Sequence, residues 1–340
     1  MLIFTLPSAG STNINDMTFK VTILGSGSAR PTLRRHHSAQ AINIHEQYYL
    51  VDCGEGTQLR LLECGINIMK INAVFISHMH GDHMFGLMPL ISSMGHLGRG
   101  VPLTVFAPYP MAEVIDFHLA LFDSHLPFEV IYKETDTREN RMIYENKVMQ
   151  VWTIPQRHRV PSAGFLFREK TPALNVRKEA IERHGLGIAQ ITAAKRGEDI
   201  FSEDGNLIAR NADITYIPYA PRTYAYCSDT QYSGKVTSLV HGADLLYHEA
   251  TFAEEDRALA KSTGHSTASQ AAKTAVLSES KRLIIGHISG RYKDESILLS
   301  EARAVFPAAE LAAEGTSSEI SVFNNKYYGH SCPHTRRPRS

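Results

Sequence analysis

Residues 78–83 read His-Met-His-Gly-Asp-His. Three imidazoles and a carboxylate crowd one turn, an arrangement rare in a solvated loop and natural around a metal ion. The five residues before them, Ala73-Val74-Phe75-Ile76-Ser77, are apolar and β-prone, as in a buried strand. The donors therefore sit at the carboxyl end of a strand, where α/β sheets open onto their sites. One tight turn cannot wrap four donors around a single ion and leave room for a substrate. Two ions roughly 3.5–4 Å apart solve the problem, with His78 and His80 on one and Asp82 and His83 on the other. Each ion then needs further donors from distant sequence.

The 340 residues allow one large α/β domain or two small ones, and 43% hydrophobic content suits a full core. No apolar run approaches the roughly 20 residues of a membrane span. Residues 1–16 lack a basic segment before their apolar stretch, so they read as a flexible extension rather than a signal peptide, with Met17 just ahead of the first strand. Cys53, Cys64, Cys227 and Cys332 show no paired spacing and read as reduced thiols of a cytoplasmic protein. The formal net charge is zero, so a nucleic-acid partner has to be attracted by a local basic patch and by bound metal.

Alternation predicts strands over 19–24, 41–44, 48–51, 73–77, 103–106, 128–132, 148–154 and 163–168, with a hairpin turn at Glu46-Gln47. Helical patterns cover 57–64, 87–95 and 109–122. Residues 169–210 are charged, helix-prone and poor in large apolar side chains, which reads as an inserted, protruding helical arm, with a disordered insert as the alternative. Strands return at 223–228, 244–247 and 282–286, with helices over 254–262, 267–279 and 294–305. Two halves, each strands then helices, predict an α/β (α+β) fold. Its form is a four-layer αββα sandwich over 17–321, followed by a polar tail at 322–340.

Three more candidate donors stand at strand ends: His158, Asp229 and His287. Each alone is a weak signal, since a lone His or Asp after a strand is more often a cap or a satisfied polar residue. Together they supply what the first turn lacks: His158 completes the His78/His80 site, His287 the Asp82/His83 site, and Asp229 bridges both. Asp52 has two readings, an acceptor for a ligand imidazole or a helix cap before Glu55. His265 paired with Glu249 would be a charged imidazole able to protonate a leaving alkoxide. His248 reads as structural.

In this order the pieces resemble the metallo-β-lactamase superfamily and, within it, the tRNA 3′-processing ribonuclease Z family. The likeness runs from about Phe19 to Phe306. It rests on the His78–His83 turn, Asp52-Cys53-Gly54-Glu55, His248-Glu249-Ala250-Thr251, His265-Ser266-Thr267 and Gly286-His287-Ile288-Ser289-Gly290-Arg291-Tyr292, together with the interrupting arm. The resemblance implies two zinc ions per subunit, a set of donors that also accepts manganese. It implies His78, His80 and His158 on one ion, Asp82, His83 and His287 on the other, and Asp229 on both. It further implies Asp82 as proton acceptor and Glu249 with His265 as the pair protonating the leaving 3′-oxygen. The arm would grip precursor tRNA, commonly within a homodimer, with no membrane partner. Arg34, Arg35, Lys195, Arg196 and Arg291 are the candidate substrate contacts, Arg34 and Arg35 reading equally as a solvated basic loop.

Two departures bear on substrate handling. Gly185-Leu186-Gly187-Ile188-Ala189-Gln190 stands where the family's arm often carries Gly-Pro, although Lys195-Arg196-Gly197 is retained. Pro31-Thr32-Leu33-Arg34-Arg35-His36-His37 replaces the family's Pro-x-Lys-x-Arg-Asn loop, so the resemblance leaves the arm's grip and discrimination against CCA ends open. The alternative enzyme is a related metallo-phosphodiesterase acting on small cyclic or aryl phosphodiesters, which needs no arm. A non-catalytic RNA-binding scaffold would have broken ligands, and none is broken.

Overall fold

A computed structural model describes residues 17–121 and 125–322. The expected extension 1–16, the tail from 323 onward and Cys332 lie outside the described residues. By contacts the chain divides into two compact units. One contains residues up to Arg168 together with Thr223–Ile320, and the other contains Glu169–Arg222.

The larger unit holds two seven-stranded sheets. The first runs, edge to edge, Ser317–Glu319, Phe19–Gly25, Ala39–Ile44, Gln47–Cys53, Ile71–Phe75, Leu103–Ala107 and Val130–Glu134. The second runs Glu310–Leu311, Leu283–Gly286, Leu245–Glu249, Thr223–Cys227, Ala163–Glu169, Met149–Pro155 and Met142–Glu145. Side chains alternate between the two faces of a strand, and the packing follows that alternation. Phe19, Val21, Tyr49, Ala73, Phe75 and Phe106 of the first sheet meet Phe165, Phe167, Tyr224, Tyr226, Tyr247 and Ile284 of the second in a central core. Phe75 anchors it, stacked on Phe106 at 4.8 Å and meeting the Phe167 ring edge-on at 5.5 Å.

The residues in between point outward. Leu50, Val74, Ile76 and Val105 pack beneath Leu61, Leu87, Leu90, Ile91 and Ile115 of the helices covering the first sheet. Ala225, Cys227, Leu246 and Ile285 pack beneath Val236, Ala271, Ala275, Leu298 and Ala302 on the other side. The order is helix, sheet, sheet, helix, as the sequence predicts. No described helix is long and apolar enough to cross a membrane.

Two local expectations shift. The hairpin turns at His45-Glu46, one residue earlier than expected. Both residues have positive φ, 50° and 63°, and Ile44 pairs with Gln47, the geometry of a two-residue primed turn matched to strand twist. The strand expected over 128–132 forms at Val130–Glu134.

The smaller unit contains helices Lys178–His184 and Ile188–Lys195, and a hairpin of Ile200–Phe201 with Leu207–Ala209. Asn175-Val176 pairs with Thr215-Tyr216, so residues beyond 210 belong to it. Its core is small: Ala180, Leu186, Ala194, Ile200, Ala209 and Ile214. Glu169 and Arg222 close its base. The buried guanidinium donates to both carboxylate oxygens, at 2.9 and 2.6 Å, and the Arg222 amide donates to the same carboxylate at 2.9 Å.

Candidate metal centre

The donors gather where strands of both sheets end. His78, His80, Asp82 and His83 follow Ile71–Phe75, on a segment that closes into the single turn Gly81–Met84. Asp229 follows Thr223–Cys227, and His287 follows Leu283–Gly286. His158 follows Met149–Pro155. Close backbone approach seats the first group. A Cβ on Gly54 would fall 2.5 Å from the Asp82 carbonyl oxygen, and one on Gly86 would fall 2.0 Å from the Gly54 oxygen. Asp52 and His287, neither of them glycine, hold φ of 55° and 58°. That left-handed conformation costs roughly 1–2 kcal/mol per residue, and its placement at two strand ends beside one site directs both side chains inward.

The structure brings together all seven candidate donors. His78, His80, His158 and Asp229 form one group, and Asp82, His83 and His287 another. Asp229 divides between them. Its Oδ2 lies 3.5 Å from His78 Nε2 and 3.7 Å from His158 Nε2, while Oδ1 lies 3.4 Å from His83 Nε2 and 3.2 Å from His287 Nε2. Asp82 Oδ2 stands 3.4 Å from both His83 Nε2 and His287 Nε2.

Two observations test the fit to a metal. Ligands around tetrahedral zinc, at about 2.0–2.1 Å from the ion, stand about 3.3–3.4 Å apart, and the facing atoms here are 3.0–3.7 Å apart. Asp229 Oδ1 is also buried without a hydrogen-bond partner, an arrangement that is costly unless a cation completes it. The donor set fits.

Four of the five imidazoles are further locked by a partner on the other nitrogen, which fixes the tautomer. His83 Nδ1 donates to Asp52 Oδ2 (2.7 Å), and His158 Nδ1 to the Gly264 carbonyl (2.8 Å). His78 Nδ1 donates to Ser77 Oγ (3.0 Å), and His287 Nδ1 to Thr251 Oγ1 (2.9 Å). In all four, Nε2 is left for the centre. His80 instead turns Nδ1 toward His78 Nε2, at 3.0 Å. Asp52 caps no helix. It accepts from Ser77 N (2.7 Å), Ser77 Oγ (3.0 Å), His83 Nδ1 and Tyr226 Oη (2.6 Å).

Electrostatics sort the imidazoles. Burial pushes His78, His80 and His158 below their ordinary value, leaving neutral rings with free lone pairs. For His83 burial acts downward too, but Asp229, Asp52 and Asp82 outweigh it and raise it well above. Burial would raise Asp82, yet His83 and His287 hold its carboxyl far below the usual range.

At the edge of this cluster, His265 Nδ1 lies 3.0 Å from Glu249 Oε1 and 4.0 Å from Asp229 Oδ2. Burial opposes the charge on His265, but Glu249 and Asp229 prevail and raise it to about 9. Glu249 is fully buried and accepts five hydrogen bonds: Thr230 N, Ser266 N and His265 on Oε1, and Thr251 N and Oγ1 on Oε2. His248 points elsewhere, its Nδ1 on the Glu249 carbonyl.

The candidate substrate contacts disperse. Arg34 reaches the Lys293 carbonyl at the surface, whereas Arg35 is largely buried and paired with Glu295 and Ser26. Arg291 pairs with Asp256 at 3.0 Å and lies over the Phe252 ring, which in turn meets His265 edge-on. Lys195 and Arg196 are exposed at the end of Ile188–Lys195 in the smaller unit, Arg196 paired with Glu198. Sequence reasoning passed over Ser77, Thr251 and Tyr226, the neutral residues that orient the donors.

A family model described as Anti-Pycsar protein Apyc1 matches residues 19–170, less than half the chain. Ribonuclease Z of Bacteroides fragilis (strain ATCC 25285) is 43% identical over 296 residues, covering 87% of this chain and 97% of that protein. Ribonuclease Z of Bacteroides thetaiotaomicron is 41% identical over 308 residues, covering 90% and 97%. Among solved structures, the short form of human tRNase Z superposes with a TM-score of 0.65 at 24% identity, over 89% of this chain and 99% of that one, a likeness of fold. Two packed sheets, a metal-suited His/Asp cluster at their strand ends and relatives of this identity over nearly their full length place the chain in the ribonuclease Z family.

Proposed function

We propose that this chain is a metal-dependent endoribonuclease that removes the 3′ trailer from precursor tRNA. It would leave a 3′-hydroxyl on the tRNA and a 5′-phosphate on the trailer. The observation that carries the reading is Asp229, one oxygen facing each half of a seven-donor cluster, with a charged His265–Glu249 pair beside it. His78, His80 and His158 would hold one zinc, Asp82, His83 and His287 the other, and Asp229 both. When bound, the ions supply Lewis acidity, lowering the pKa of water at the site and offsetting the charge of a phosphodiester.

The chain's own groups do the rest. Asp82, the carboxylate that the family resemblance gives as proton acceptor, would take the proton lost by the attacking water. Water oxygen bonds to phosphorus, the P–O3′ bond breaks, and His265 delivers the Nε2 proton to the departing oxygen while Glu249 keeps the ring charged and aimed. Exposed Arg34, Arg291, Lys195 and Arg196 remain the proposed phosphate contacts. The buried pairing of Arg35 supports a role in bracing its loop.

A homodimer is the proposed working form, consistent with Leu59 and Leu62, exposed one turn apart on Thr57–Glu63. The free thiols of Cys53, Cys64 and Cys227 accord with a cytoplasmic setting. Incubating metal-loaded protein with a 3′-extended precursor tRNA and mapping the cut to the nucleotide tests the proposal. Cleavage of small phosphodiesters alone, with the precursor left intact, would replace it by the armless phosphodiesterase reading.

A further inference from the structure

Beside the donors lies a separate cleft of about 390 Å³, lined by Arg157, Tyr232, Arg257, Lys261, Gln270 and His265. Short sequence steps from the centre build it. Arg157 directly precedes His158, and Tyr232 follows Asp229 by three residues. Arg257 and Lys261 stand four apart, on one face of the helix Arg257–Thr263 that leads into Gly264-His265. Gln270 is pinned by the Thr267 amide, which donates to its Oε1 at 3.0 Å. The Tyr232 ring is steadied by Lys273, whose ammonium lies 5.2 Å from its centroid.

The charges around this cleft are unevenly used. Arg257 is paired with Glu254. Arg157 and Lys261 are exposed, and neither forms an ion pair among the described residues. An aromatic ring beside two unpaired cations suits one nucleotide, its base on the ring and its phosphates on the cations. The volume lies at the small-ligand end of the range for clefts.

Chemistry fixes which nucleotide. Glu249 holds Nδ1 of His265, so Nε2 is the nitrogen left to give a proton. If the P–O3′ bond breaks, that proton goes to the 3′-oxygen of the nucleotide on the 5′ side of the cut. The owner of that oxygen must lie next to His265, and His265 forms part of this wall.

We propose that the cleft seats the nucleotide immediately 5′ of the scissile bond, its base against Tyr232 and its neighbouring phosphates near Arg157 and Lys261. The inference rests on the precursor-tRNA reading and adds which nucleotide is held and by what. The test compares cleavage of a precursor tRNA with cleavage of the same RNA made abasic at that position. The enzymes are the metal-loaded wild type, Tyr232→Phe and Tyr232→Ala.

Loss of one stacked base should lower kcat/KM roughly 5- to 100-fold, carried by KM. Tyr232→Phe should behave as wild type. Tyr232→Ala should show the loss on the intact RNA and no further loss on the abasic one. Lys261→Ala should weaken both substrates alike and reduce the slope of log affinity against log salt by about one.

Equal cleavage of both RNAs by wild type, or losses that multiply in Tyr232→Ala, would overturn the proposal. Should Tyr232→Ala not fold, the abasic comparison in wild type and the Tyr232→Phe result decide alone. Failure of the broader reading looks different: no cut at the trailer junction in either RNA.

Discussion

Asp52→Asn changes one oxygen for an amide without changing shape, and its consequences can be worked through the hydrogen bonds it must remake. The carboxylate is fully buried, with Ser77 N on Oδ1 and three donors on Oδ2: Tyr226 Oη, His83 Nδ1 and Ser77 Oγ. An asparagine cannot satisfy all four. If its oxygen keeps the Oδ2 place, its NH2 faces the Ser77 amide, and a buried backbone donor goes unpaired at about 1–3 kcal/mol. If the amide turns over, NH2 faces His83 Nδ1. The ring must then carry its proton on Nε2, the nitrogen aimed at Asp82, Asp229 and His287. A protonated Nε2 cannot bind metal. Losing such an orienting partner typically weakens a metal site 10- to 100-fold, about 1.4–2.7 kcal/mol. Titrating metal-stripped wild type and variant with zinc against a competing chelator should show one site weakened by that factor and the other little changed. Two sites of wild-type affinity, in a variant of wild-type stability, would refute the claim that Asp52 sets the tautomer of His83.

Three other outcomes follow from the same geometry. In the metal-free protein His265 is raised from 6.5 to about 9, so its pairing with Glu249 contributes fully below pH 6.5 and is lost as pH rises through 9. Urea unfolding of stripped protein should lose up to about 3 kcal/mol from His265 over that window, raised His83 adding in the same direction, and Glu249→Gln should remove the His265 share. His265→Ala should slow cleavage of an alkoxide-leaving RNA about 10²- to 10⁴-fold and that of an activated aryl phosphodiester little; equal losses would remove His265 from the proton-donor role. Arg222→Ala leaves the Glu169 carboxylate buried without its guanidinium. That should destabilise the smaller unit by about 3–5 kcal/mol, read as faster proteolysis within residues 170–221.

The layered architecture was legible because buried parallel strands write continuous apolar runs that stop abruptly at polar residues. His78, Asp229 and His287 each follow such a run, which is why their strand ends were readable. What orients them was not. Ser77 and Thr251 lie two residues past strand ends and Tyr226 within a strand, none is a ligand type, and their role exists only once two sheets face each other. Arg35 looked like a phosphate contact because its partner, Glu295, is 260 residues away in the chain. The hairpin turn was legible but placed one residue late, because neither His45 nor Glu46 advertises positive φ as glycine or asparagine does. Residues 211–222 escaped because their ties to Asn175 and Val176 are two residue pairs long.

The register Thr223↔Arg168 has an architectural corollary. Those two residues are antiparallel neighbours, about 5 Å apart between Cα atoms, and everything from 169 to 222 is threaded through that one gap. A tight turn of two or three residues could bridge it and leave both strands in step. The pairing of these two strands therefore sets no limit on the length or make-up of the segment that the chain carries between them.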